Sequence, residues 1–152
     1  MKEFREEQRL HQWWLWAILL GIAGIWLWDF TSQVWGDRPL NSVGLVFSFL
    51  IVAGVILLCY FMRLYTHFTA EGIFVRYFPF VKKLIPWNDI DSAEIITYNF
   101  VGYGIRFSLK YGTVYNTSGN QGVWIKNKKG STLLIGTQQP SRVAEIIEHY
   151  KP

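Results

Sequence analysis

The amino-acid sequence predicts an α+β membrane protein: a two-helix transmembrane hairpin followed by a strongly bent antiparallel β-sheet, or partial barrel, capped by a C-terminal α-helix. Three observations carry this. Two long apolar runs without a charged residue lie ahead of Arg63. Beyond it the chain alternates apolar and polar residues in short segments punctuated by glycine, the period of β-strands. At the end, Val143, Ile146, Ile147 and Tyr150 recur at helical spacing.

The first run is Trp13 to Trp28 (WWLWAILLGIAGIWLW) and the second Val43 to Met62 (VGLVFSFLIVAGVILLCYFM). A helix of about 20 apolar residues spans roughly 30 Å of hydrocarbon. Helices are therefore expected over about 11–30 and 43–63, joined by a loop at 31–42. Trp13, Trp14, Trp16, Trp26 and Trp28 read as a membrane-interface belt, because indole rings favour the boundary between water and lipid. The remaining domain, about ninety residues, is too small to bury two such helices itself. The N-terminal segment MKEFREEQRLHQ has mixed charge and no A-x-A pattern follows Trp28, so the first run reads as a retained helix rather than a signal peptide.

Lys2, Arg5 and Arg9 precede the first helix, and Arg63 and Arg76 follow the second. The Asp29–Ser42 connection carries only Arg38 against Asp29 and Asp37. The positive-inside rule then places both termini in the cytoplasm and the connection outside. Residues 1–12 read as a cytoplasmic segment ahead of the hairpin, and 63–152 as the cytoplasmic domain. Ala17, Gly21 and Gly24 in the first helix, with Gly44, Ser48, Ala53 and Gly54 in the second, predict close packing between the two helices. A homo-oligomer built on the same residues is the second expectation. Cys59, the one cysteine, excludes a disulfide framework within the chain and reads as an apolar contact.

In the domain, Leu64–Ala70 and Ile73–Phe78 read as strands joined by a tight turn at Glu71-Gly72. Ile73, Val75 and Tyr77 share one face, and Phe74, Arg76 and Phe78 the other. Ala93–Tyr98, Ile105–Lys110, Gln121–Asn127 and Ser131–Ile135 continue the series toward about seven antiparallel strands. In the second of these, Ile105, Phe107 and Leu109 are expected inward. Lys128-Lys129-Gly130 forms the last turn, and Pro140 suits the first turn of the closing helix.

Four segments carry a family resemblance: IPWNDID (Ile85–Asp91), YGIRFSL (Tyr103–Leu109), YNTSGNQGVWI (Tyr115–Ile125) and KKGSTLLIGTQQP (Lys128–Pro140). In order and spacing, everything from Tyr65 onward resembles the bacterial pleckstrin-homology-like domain of small membrane proteins. The resemblance implies a PH-like bent sheet with its C-terminal helix, set at the inner face of a bacterial cell membrane. It implies no chemistry, because a fold does not fix a function. Eukaryotic lipid-binding members of this fold place a basic cluster in the first strand connection. Here that connection is Ala70-Glu71-Gly72, short and acidic, which speaks against a specific inositol-phosphate site.

Catalysis has little to build on. His11, His67 and His149 are far apart in sequence, with no carboxylate or cysteine at metal-ligand spacing. No nucleophile elbow, Cys–His pair or phosphate loop appears, so the expectation is a non-enzyme without cofactor or metal and without nucleic acid as a partner. Residues 63–152 carry eleven Lys and Arg against six Asp and Glu, a surplus of five. Lys82, Lys83, Lys126, Lys128 and Lys129 are therefore candidates for contact with an anionic leaflet. Phe74, Phe78 and Trp124 are candidates for contact with a membrane or cytoplasmic protein, since exposed aromatics mark such sites, and Phe100-Val101 in a loop adds to them. The function expected is interaction or scaffolding at the inner leaflet; the alternative is an accessory or oligomeric subunit associated with a pore or transporter.

Overall fold

The computed structural model describes residues 3–99 and 102–150. They form two compact units, Gln12–Phe61 and the sequence on both sides of it.

The first unit is the helical hairpin, α1 (Trp13–Val34) and α2 (Ser42–Phe61). Both are long and apolar enough to cross a membrane. Leu19 and Leu45 are the buried residues of the pair. Trp26 makes the main lateral contact: its ring stacks on Phe30 (5.5 Å), meets Phe49 (5.3 Å), and its Nε1 donates to Ser48 Oγ at 2.9 Å. A bond of this kind in lipid contributes on the order of 1 kcal/mol. Trp16 packs edge-on against Tyr60. The expected packing through small residues is corrected in part here. A side chain built at Gly21, Gly24 or Gly54 would meet nothing, so these glycines lie off the contact, whereas Ser48, another of the small residues, does take part in it beside the large rings of Trp26 and Phe49. In the connection, Arg38 pairs with Asp29 (3.1 Å), and Asn41 Oδ1 accepts from the Gly44 amide at the start of α2.

The second unit holds nine strands in two sheets, with a C-terminal helix α3 (Pro140–Tyr150). The first sheet is an antiparallel meander of β1 (Phe4–Arg9), β2 (Arg63–Phe68), β3 (Gly72–Phe78) and β4 (Val81–Pro86). A single 3-10 turn, Trp87–Asp89, leads to the second sheet. This contains β5 (Ile90–Thr97), β6 (Gly104–Ser108), β7 (Gly112–Asn116), β8 (Gln121–Asn127) and β9 (Thr132–Gly136), in the order β5-β8-β9-β7-β6. The sheet is not antiparallel throughout, as the alternation had suggested: β7 and β9 run parallel. Gly112 permits that junction, since its φ is +76° and a Cβ there would collide with the Thr132 carbonyl.

The core lies between the sheets. Leu64, Phe68, Ile73, Val75, Tyr77 and Ile85 from the first sheet meet Ala93, Tyr115, Val123, Ile125 and Ile135 from the second. Val143, Ile146 and Ile147 of α3 close it, and Tyr150 stacks on Trp87 at 5.6 Å. This is the helix face the sequence predicts.

The strand preceding the hairpin changes the domain boundary. Residues 1–12 read from sequence as a separate segment, yet Phe4–Arg9 pairs with β2 along its whole length, from Phe4↔Phe68 to Arg9↔Arg63. The alternation Phe4, Glu6, Gln8 faces inward. Glu6 Oε2 accepts from Thr137 Oγ1 (2.6 Å) and Oε1 from the Gln138 amide (2.7 Å), at the entrance to α3. Gln8 Nε2 donates to the Gly136 carbonyl (2.8 Å), while its Oε1 accepts from Thr117 Oγ1 (2.7 Å). Three of these bonds tie β1 to residues 136–138, near the far end of the chain, and the fourth ties it to Thr117 between β7 and β8. The helix N-terminus adds favourable partial charge beside the Glu6 carboxylate. The hairpin is therefore an insertion between two paired strands of one sheet.

Two measurements check this. Residues 63–152 alone should aggregate or melt without a cooperative transition, whereas residues 1–10 joined to 62–152 by a short turn should fold as a soluble β-rich protein. In the full chain, Glu6→Ala should cost about 1.5–3 kcal/mol, because it removes a charged acceptor and leaves Thr137 and the Gln138 amide unpaired. A thermal melt in detergent reads the difference.

Candidate interaction surface

The predicted contact residues lie on the faces and strand edges of the β-domain. Among the described residues, no group of three His, Cys, Asp or Glu is placed to hold a metal ion. His67 accepts from Arg5 Nε at 3.0 Å with Glu3 beside it, and His149 packs against Tyr150. Neither shares a site with a nucleophile.

The predicted basic residues separate into two groups. Lys82 and Lys83 lie exposed on β4, an edge strand flanked by Pro79 and Pro86. Lysine and proline on an edge discourage pairing with another chain, which gives both lysines a structural task. Lys82 also sits over the Phe74 ring (5.8 Å) and Arg76 over Phe78 (5.4 Å), so the two candidate phenylalanines are partly covered by cations on the outer face of the first sheet. Beside them an open groove of about 570 Å³ is lined by Arg5, Tyr65, His67, Phe74 and Arg76. The opposite edge, β1, is blunted by charge: Glu7 lies 3.1 Å from Arg9 and 3.2 Å from Arg63.

Lys126, Lys128 and Lys129 form the second group, at the end of β8 and in the turn to β9. Because β7 runs parallel to β9 with Thr113 beside Leu133, the β6–β7 turn lies at the same end of the sheet. That turn carries Leu109 and Lys110. The result is one end of one sheet bearing Lys110, Lys126, Lys128 and Lys129, while Arg106, in the middle of β6, folds back toward Tyr103 at the other end of the strand. Asp89 and Asp91 at the start of β5 are the acidic residues there, and the Lys128 amide donates to the Asp89 carbonyl oxygen. From 95 to 144, fifty residues, the chain has no Asp or Glu.

The same end departs from expectation in its apolar residues. Ile105, Phe107 and Leu109 were expected in the core, and Ile105 and Phe107 do lie opposite Tyr115 and Thr113 on the inner side of the sheet. However, β6 is the outermost strand of its sheet, and among the described residues its inner side is left progressively uncovered toward the turn. Ile105 is 37% exposed, Phe107 77% and Leu109 98%. Alternation reports the side of a sheet, not whether that side has a partner.

Trp124, expected to face outward beside Lys126, is on the outer side of β8 but half-buried. It packs edge-on to Tyr111 in a small second cluster with Tyr98, Val114 and Leu134. Trp13 and Trp28 of the expected belt are well exposed and Trp14 moderately so, whereas Trp16 and Trp26 serve the helix pair. Phe100-Val101 lies outside the described residues.

Nothing in known families helps to choose among these surfaces. No protein-family model matches the chain, and no curated protein matches it.

The second cluster holds two polar atoms without a hydrogen-bond partner among the described residues, Tyr98 Oη and Trp124 Nε1. Burial, aided by Tyr103, pushes the Tyr98 phenol up to about 12. The neutral phenol is favoured in the fold, so its contribution to stability is present at neutral pH and fades as pH rises past about 10. Tyr98→Phe removes an unpaired hydroxyl and should leave the melting temperature unchanged or raised, with the alkaline loss of stability diminished. Melts at pH 7 and pH 11 distinguish this from a hydroxyl with a structural task.

Proposed function

We propose that this chain is an integral membrane protein whose β-domain, of the bacterial pleckstrin-homology-like kind, is a non-catalytic interaction platform at the inner face of the cell membrane. The observation that carries the reading is the pairing of β1 with β2. Two neighbouring strands of one sheet lie on the same side of any bilayer, so the segment between them must cross an even number of times. It contains two helices, each with the length and apolar character for one crossing. The lysine and arginine balance argues for a cytoplasmic domain and an external connection between the helices.

The fold reading draws support from the four-stranded meander, the antiparallel trio β5, β8 and β9, and the C-terminal helix on the core. The β6–β7 hairpin is an addition at the edge. A role in interaction fits a site that offers exposed apolar side chains beside basic charge.

Topology is testable in intact bacterial cells. In a Cys59→Ala background, Leu40→Cys should react with an impermeant maleimide, while Ser131→Cys should react only after the membrane is opened. Labelling of both before lysis, or of Ser131→Cys alone, would overturn the orientation. Recovery of the full chain in the soluble fraction would overturn the membrane reading itself.

A further inference from the structure

We propose that the free edge of β6 receives an extended segment of another protein as an added strand, and that the segment alternates apolar with acidic residues. The inference rests on the platform reading above and names the chemistry of its partner.

Two edges with a clear guard set the contrast. β1 presents Arg5, Glu7 and Arg9, and β4 presents two lysines between prolines, while the Glu6 and Gln8 bonds further occupy β1. β6 has no such protection. Among the described residues it pairs with β7 alone, leaving its other backbone edge unpaired, and its sequence, GIRFS, contains no proline, lysine or acidic residue. On one side it displays Ile105 and Phe107, with Leu109 just past its end. On the other it displays Arg106, whose Nε donates to the Tyr103 carbonyl and which forms no ion pair with a carboxylate among the described residues. Lys110 follows, over the Tyr111 ring.

Three occupants suit an exposed apolar strand, and two fit poorly. A lipid leaflet would take Phe107 and Leu109 but would drive unpaired N–H and C=O groups of the edge toward hydrocarbon, which is costly. A second copy pairing antiparallel would satisfy the backbone and set the lysine-rich turns at opposite ends, yet it would lay the same cationic strand against itself, with Arg106 meeting cations rather than a carboxylate. A separate strand satisfies the backbone without that repulsion. Residues facing Ile105 and Phe107 should be apolar, and those facing Arg106 and Lys110 acidic, the period being two. Lys126, Lys128 and Lys129 at the same end of the sheet extend the attraction, which screens with salt.

The test uses the full chain in nanodiscs of zwitterionic lipid and a fluorescent peptide of strictly alternating valine and glutamate. Saturable binding is expected, weakening as salt rises. Phe107→Ser and Arg106→Glu, both at exposed positions, should each lower affinity about tenfold or more. Lys82→Ser with Lys83→Ser, on the guarded edge, should leave binding unchanged. A peptide N-methylated at alternate residues, so that its backbone cannot pair, should not bind. Equal binding of the methylated peptide would overturn strand addition. So would absence of binding by a chain whose topology labelling is as proposed, an outcome that leaves the platform reading standing. Dimerisation abolished by Phe107→Ser would assign the edge to a second copy. Binding to anionic vesicles that depends on Phe107, without peptide binding, would assign it to the leaflet.

Discussion

The buried carboxylate of Glu6 holds the architecture together. It lies on a strand that precedes both apolar helices, and its partners, Thr137 and the Gln138 amide, lie beyond every other strand. Without it, the edge strand β1 would keep its ladder to β2, the Gln8 bonds and Phe4 in the core, but lose its tie to the entrance of α3. With it, the first and last segments of the domain close on each other. The carboxylate is tolerated because hydroxyl and amide donors meet both oxygens and because a helix begins beside it. Replacing water by well-directed donors makes a buried charge specific as well as affordable.

That same choice hides the strand in the sequence. FREEQRL alternates, but its inward positions include Glu6 and Gln8, so the pattern reads as a charged tail rather than as Phe4, Glu6, Gln8 and Leu10 lining an interior. β3 gives the opposite case. Ile73, Val75 and Tyr77 are apolar against Arg76 and Phe78 outside, and its face is legible at sight. The helix α3 is legible for the same reason, through Val143, Ile146 and Ile147. β4 is obscured by Lys82 and Lys83, which guard its edge, and β7 by its brevity and by the glycine that allows its parallel pairing. Local pattern reports local environment; partners more than a hundred residues away leave no periodicity behind.

The surface followed a similar division. Basic charge could be counted from the sequence, but its distribution depended on β7 lying beside β9, which brings two turns to one end of a sheet. The apolar stripe of β6 was visible as well. What could not be read was that the strand would stand outermost in its sheet, with its inner side left uncovered toward the turn. In the hairpin, small residues suggested close packing, while the contact is made by Trp26 with Phe49 and Ser48. Glycine spacing marks where a helix could be approached, and large side chains marked where it was.

The pairing of Arg9 with Arg63 bears on how the chain is made. On the membrane reading, β1 is synthesised first and must wait, unpaired, until about fifty residues of hairpin have crossed and returned. Its clasp partners emerge later still. A chain whose first helix failed to cross, with the second inserted alone, would leave β1 and β2 on opposite sides of the bilayer. The remaining strands would then lack a neighbour, and Thr137 and Gln138 would face an empty berth. On that reading, completion of the sheet is conditional on both helices crossing.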